Sequence, residues 1–156
     1  MHAEGDSPSL SGSASAEDIE RRSRQALHVP LLRFLEAELV AGDGDAKAVS
    51  IPLTIKAMNA LGGPHGGVIA TLLETAAYLA LVPHMSAEED AITHAFAASY
   101  LAAPQSPGEL VASGSLLRRT HRLAFVVAEL RSEQDLLATA TVTKSIARGD
   151  GDERKS

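Results

Sequence analysis

At 156 residues the chain holds one domain of ordinary size, without room for two good cores. Apolar residues make up 45% and charged ones 22%, which excludes wholesale disorder; 3% aromatics and a net charge of −6 argue against stacking on nucleic acid or tracking a phosphate backbone. The absence of Cys excludes disulfides, thiolate metal sites, iron–sulfur clusters and a Cys nucleophile.

Taken in chain order, residues 1–15 are Ser/Gly/Pro-rich and predict a disordered lead-in, a single domain is expected over 16–148, and 149–156 reads as a short charged tail. The N-terminal stretch lacks both the basic start and the apolar segment of a signal peptide, so a cytoplasmic protein is expected. Ser15 is a candidate cap for a helix through Glu17–Gln25, and Pro30 opens a second helical stretch, Leu31 to Leu35. Glu38 to Ala41 reads as a short strand before the turn Gly42-Asp43-Gly44-Asp45. Lys47 to Ile55 alternates, with Val49, Ile51, Leu53 and Ile55 on one side, which predicts a strand with one buried face.

Met58 to Gly63 is a loop. From Gly66 to Val82 the apolar density and Ala content predict a long helix ended by Pro83. Glu74 and Pro83 interrupt the apolar run from Gly66 to Met85, so it is not expected to span a membrane. Four strands follow, Ala91–Leu101, Glu109–Leu117, Leu123–Arg131 and Leu137–Ala147, and their short connections predict antiparallel hairpins. In the last, Thr139, Thr141, Thr143 and Ser145 share one face. The sum is an α+β domain: about six antiparallel strands around one long central helix, with an N-terminal helical segment.

Charge is unevenly placed. Residues 1–90 carry 6 basic and 13 acidic side chains, whereas 91–148 carry 6 basic and 4 acidic ones, including Arg118, Arg119, Arg122, Arg131 and Lys144. Such a patch on an acidic protein suits a small anion better than a polymer, although scattered solvated charge gives the same count. From Ala57 to Ala87 the only acid is Glu74, with neither Lys nor Arg nearby in sequence. Set mid-helix among apolar residues, it is expected to be buried, where a carboxylate without a partner has its pKa raised, the alternative being a solvated helix side. Its helical face, Gly67, Ala70, Thr71, Ala77, Tyr78 and Leu81, is mostly small, which lets another backbone, a ligand or a second helix come close. Upstream, Gly62-Gly63-Pro64-His65-Gly66-Gly67 leaves backbone N–H groups unshielded at the helix start, where developing negative charge is favoured. Gly-rich turns before helices are common, and His65 alone fits a structural hydrogen bond as readily as catalysis.

Together, Asn59-Ala60-Leu61-Gly62-Gly63-Pro64-His65-Gly66-Gly67 and Glu74, nine residues after His65, resemble the hotdog-fold acyl-CoA thioesterases of the phenylacetate-pathway type. The resemblance continues through Ser99–Pro104, Gly108-Glu109, Leu123–Phe125 and the closing Ala138–Lys144 stretch, and covers roughly residues 30–147. It implies that Gly66 supplies an oxyanion N–H with Gly67 beside the substrate. Asn59 would orient or contact the thioester oxygen, and His65 would brace the loop. Glu74 would act as general base or nucleophile, and the Thr93 hydroxyl would hold the attacking water. Arg118, Arg119, Arg122 and Lys144 would meet the CoA phosphates, with no metal and no cofactor beyond the CoA of the substrate. Two departures stand out: Glu replaces the commoner Asp, and Thr120-His121-Arg122 replaces the usual hairpin glycine.

Gly66 and Glu74 are eight residues apart, about 12 Å along a helix, so one helix cannot serve one carbonyl carbon with both. A two-fold partner with its helix antiparallel can, which predicts a homodimer or dimer of dimers. A non-catalytic acyl-CoA or lipid-binding hotdog module is the alternative, kept open by Glu in place of Asp. The hotdog dehydratases, with a His far upstream of the acid and a Pro-Gly helix start, match the spacing poorly.

Overall fold

A computed structural model describes residues 14–104, 108–133 and 135–148. Most of the expected lead-in and all of the expected tail lie outside them. Ser15 caps α1 (Ala16–Leu27), its hydroxyl accepting from the Asp18 N–H at 3.1 Å. Val29 precedes Pro30 at the first position of α2 (Pro30–Phe34), where the missing N–H costs nothing.

Next come β1 (Glu38–Ala41), β2 (Lys47–Pro52), α3 (Gly66–Leu81), β3 (Glu89–Tyr100), β4 (Glu109–Arg119), β5 (Leu123–Ser132) and β6 (Asp135–Arg148), with 3-10 turns at Ile55–Ala57 and Val82–His84. All six strands form one antiparallel sheet in the order β1-β2-β4-β5-β6-β3. The expected α+β architecture is therefore present.

The sequence reading carries β2 too far. Pro52 ends it, the Thr54 N–H turns back onto the Pro52 carbonyl, and Ile55 is 84% exposed rather than in the core. Ala48 and Ser50 are also buried, so β2 lacks the one exposed face that alternation implies; it is interior to the sheet, where side chains this short are covered by their neighbours.

Helix α3 lies against the sheet through Ile69, Leu72, Leu73, Ala76, Leu79 and Ala80, packing chiefly on β4 and β5. Each fully buried Leu contributes about 1.5–3 kcal/mol. Gly114 of β4 lets the helix come this close: a Cβ there would lie 2.7 Å from the Ala76 carbonyl oxygen. With the following 3-10 turn, residues Gly66–His84 do reach spanning length and apolarity, contrary to the expectation from Glu74 and Pro83. The segment is nevertheless the domain's core helix, with Leu72, Leu73 and Leu79 sealed against the sheet.

On β6 the side chains of Ala138, Ala140, Val142 and Lys144 are buried on the helix side, while Thr139, Thr141, Thr143 and Ser145 line the outer face. Strand β3 pairs with β6 and has one irregularity: Thr93 opposes Lys144 and Ala95 opposes Thr143, leaving His94 as an inserted residue. The opposite edge of β3 meets no strand among the described residues.

Candidate active site

The loop before α3 is organised by Asn59. Its Oδ1 accepts from the N–H groups of Leu61 (2.8 Å) and Gly63 (3.2 Å), and its Nδ2 donates to the Pro64 carbonyl at 3.2 Å. Gly62 makes the turn possible with φ of +80°. Asn59 thus shapes the loop before α3, and both ends of its amide are engaged there.

His65 is the N-cap of α3. Its Nδ1 accepts from the Gly67 N–H at 3.0 Å, and its carbonyl accepts from Val68 and Ile69. Of the first amides of the helix this leaves the Gly66 N–H with no acceptor among the described residues. The Tyr100 ring lies beside Gly66, and its hydroxyl donates to the Gly66 carbonyl at 3.1 Å. Tyr100 is a neighbour the sequence reading missed; its place at the end of β3 shows only once the sheet order is known.

Glu74 differs from expectation in burial, partner and pKa. Its side chain is 42% exposed, and Lys144, 1% exposed on β6, reaches Oε1 at 2.5 Å. Thr93 on β3 donates its hydroxyl proton to the same Oε1 and accepts from Lys144 Nζ at 2.9 Å. Partial burial pushes the carboxyl up, but the Lys144 and Thr93 hydrogen bonds and the Lys144 charge outweigh it, so the pKa lies below the ordinary range. Two expectations therefore change. Lys144 is committed to Glu74 rather than to phosphate, because a buried ammonium takes the nearest carboxylate. The single proton of Thr93 goes to Glu74 rather than to a water.

The expected phosphate patch is also thinned. Arg119 is only 14% exposed and pairs with buried Glu89 at 2.5 Å. Glu89 further accepts from the Ser86 N–H, and the Arg22 guanidinium donates to the Ser86 and Glu89 carbonyls, so this cluster anchors the start of β3. Arg118 and Arg122 remain exposed. Between them the Thr120 hydroxyl accepts from the Arg122 and Leu123 N–H groups, closing the hairpin without glycine.

A cavity of about 260 Å³ opens beside Glu74, walled by Ala26, Thr75, Tyr78, Asp90, Ala91 and Lys144. A larger hollow, about 570 Å³, lies between α1 and β1 and touches none of the expected site residues, so size does not mark the chemistry here. No group of three or more His, Asp or Glu among the described residues is arranged to hold a metal.

A six-stranded antiparallel sheet against one helix, with a glycine amide at the helix start and an acid two turns on, defines a hotdog protein. The pattern of the thioesterase superfamily matches residues 61–139, half of the chain, and the chain belongs to that superfamily of thioester hydrolases. Among solved structures, a thioesterase from Haemophilus influenzae is 19% identical, with a TM-score of 0.76 over 90% of this chain and 97% of its own. A Bacillus halodurans protein solved with CoA is 20% identical, with a TM-score of 0.72 over 90% and 99%. A phenylacetic acid degradation-related protein from Ralstonia eutropha is 25% identical, with a TM-score of 0.70 over 82% and 98%, in keeping with the phenylacetate-type resemblance. No curated protein matches the sequence.

Proposed function

We propose that the protein hydrolyses an acyl-CoA thioester to free acid and CoA at sites shared across a homodimer. The observation that carries this reading is the pairing, on one helix, of an unclaimed Gly66 N–H with a half-exposed, ionised Glu74 eight residues away. The two groups are about 12 Å apart, so Gly66 of one protomer works with Glu74 of its partner. The exposed edge of β3 supports the same assembly. It has twelve residues without Lys, Arg or Pro, and Ile92 on it is 65% exposed, the kind of edge that is stable only when covered.

The thioester carbonyl oxygen accepts from the Gly66 N–H, which stabilises the oxyanion formed on attack. As general base, Glu74 takes a proton from water while the hydroxide adds to the carbonyl carbon. The tetrahedral intermediate then expels the CoA thiolate, which is protonated as it leaves. As nucleophile, Glu74 instead adds directly, the CoA thiolate leaves as the C–S bond breaks and is protonated, and water hydrolyses the resulting mixed anhydride to free acid and Glu74. Either role needs an ionised carboxylate, in keeping with the lowered pKa of Glu74. CoA is the leaving group suggested by the CoA-bound Bacillus halodurans structure and by exposed Arg118 and Arg122, which can meet its phosphates. A soluble, cytoplasmic setting suits such a substrate.

The test is a hydrolysis screen over an acyl-CoA panel with free-thiol detection, run beside Glu74→Gln. The variant should fold, keep its Michaelis constant and lose about a hundredfold or more in turnover. Glu74→Asp withdraws the carboxylate from Lys144 and should also be impaired. Full turnover in Glu74→Gln would remove Glu74 from the mechanism.

A further inference from the structure

We propose that Lys144, acting with Thr93, is the positioning residue for Glu74: the two fix Oε1 and leave Oε2 as the atom that meets water or substrate. This deepens the thioesterase reading and rests on it. Both hydrogen bonds to the Glu74 carboxylate, from Lys144 Nζ and from Thr93 Oγ1, converge on Oε1. Oε2 has no partner among the described residues, and the side chain is 42% exposed. A carboxylate held by one oxygen is restricted in its rotamers, yet keeps the lone pairs of its other oxygen uncommitted.

Lys144 is poorly explained by stability alone. It continues the inner face set by Ala138, Ala140 and Val142, where an aliphatic residue would pack without desolvating a charge. Glu74, being half-exposed, needs no buried ammonium in order to be ionised. What the pair adds is a fixed geometry, closed into a triangle by the Lys144–Thr93 hydrogen bond of 2.9 Å.

The other groups facing Glu74 are few. On α3 itself, the Tyr78 phenol is pushed up by burial and by neighbouring Asp90, and stays neutral; its ring centroid lies 5.7 Å from Lys144 Nζ. From β3 come Thr93 and Asp90, the latter accepting from the Tyr78 hydroxyl at 3.2 Å. From β6 comes Lys144. From α1 only Ala26 lines the cavity, and the Arg22 guanidinium is engaged by the Ser86 and Glu89 carbonyls. Lys144 is thus the one cation on the carboxylate among the described residues. Without it, partial burial is opposed only by the Thr93 hydroxyl.

The experiment compares wild type with Lys144→Gln, Lys144→Met and Glu74→Gln on one acyl-CoA and one small non-CoA thioester, across pH. A parallel NMR titration follows the Glu74 side-chain carboxyl carbon, assigned by its loss in Glu74→Gln. Both Lys144 variants should lose about tenfold or more in turnover on both substrates with little change in Michaelis constant, the mark of a misplaced carboxylate. The acid limb of the turnover profile and the Glu74 titration should move up together by about one pH unit, the low end for a lost cation because the group is half-exposed.

Wild-type turnover and an unmoved acid limb in the Lys144 variants, with Glu74→Gln inactive, would overturn this inference and leave the role of Glu74 standing. A raised Michaelis constant confined to the CoA substrate would overturn it in favour of a phosphate ligand. Full activity in Glu74→Gln would overturn the underlying reading and this inference with it. If the Lys144 variants do not fold, wild type still decides: a Glu74 carboxyl titrating at or above the ordinary range would refute the pairing.

Discussion

Replacing Gly114 by Ala tests whether the helix-to-sheet distance sets both stability and chemistry. The added Cβ would lie 2.7 Å from the Ala76 carbonyl oxygen and 3.0 Å from the Ala80 Cβ, and neither belongs to a flexible side-chain end. Restoring ordinary contact moves α3 outward by roughly 0.4–0.7 Å. Overpacking of this kind costs about 1–3 kcal/mol. The stiffer unfolded chain offsets about 0.4–1 kcal/mol of that. A net loss of about 1–2 kcal/mol should lower the melting temperature by roughly 4–10 °C, read at fixed protomer concentration because unfolding of an oligomer depends on it. Because Glu74 rides on α3 while Thr93 and Lys144 sit on the sheet, turnover should fall about tenfold with it. Gly63→Ala is the control: its Cβ would meet only Asn59 Nδ2, at 3.8 Å, and stability should change by less than about 0.5 kcal/mol. A Gly114→Ala protein as stable as wild type would refute the close-approach argument.

Three further outcomes follow from the geometry. Arg118→Ala with Arg122→Ala should raise the Michaelis constant for acyl-CoA about tenfold and spare small non-CoA thioesters, whereas equal effects on both would count against phosphate contact. Burial pushes Glu89 up, but the Ser86 N–H and Arg119, with Arg148 beyond, hold it below the ordinary carboxylate range. Its contribution is therefore present above the unfolded-state value near ~4.3 and lost as pH falls through the folded one. Glu89→Gln should accordingly cost about 3 kcal/mol in urea unfolding at pH 7 and progressively less under acid, and a gap that widens on acidification would contradict this. Light scattering at micromolar concentration should show a dimer or tetramer, and a species of one chain's mass alone would sink the shared-site reading.

What could be read from the sequence was local. Apolar spacing located α3 and the late strands, and the Gly-Pro-His-Gly-Gly run with its downstream acid located the site. What escaped was pairing across long separations. Lys144 is seventy positions from Glu74 and Arg119 thirty from Glu89, and a cation on an alternating strand looks the same in sequence whether it faces solvent or a carboxylate. Asn59 escaped in another way: an amide before a glycine turn suits a loop brace as well as a ligand to substrate, and only its three short-range hydrogen bonds decide. The overrun of β2 came from reading alternation through Pro52, past the last paired residue.

The inserted residue His94 in β3 has a consequence for how this site can change. Side chains alternate along a strand, so Thr93 and Phe96, three positions apart, would face opposite sides of a regular one. Here Thr93 opposes Lys144 and Phe96 opposes Val142, and both lie on the helix side because His94 resets the parity of the count. The odd residue is itself exposed, and its side chain makes one weak contact among the described residues, at 3.4 Å, to the Ser145 hydroxyl. Almost any side chain is tolerable at that position, and so is its removal, which leaves Thr93 and Phe96 two positions apart on the helix side of a regular strand. Pairing His94 regularly opposite Lys144 would instead shift the start of the strand by half a pleat, bringing Ile92 in toward Glu74 and sending Thr93 out. The site is thus robust to change at 94 and brittle to a register slip that absorbs the bulge, a vulnerability of reading frame within the sheet rather than of chemistry.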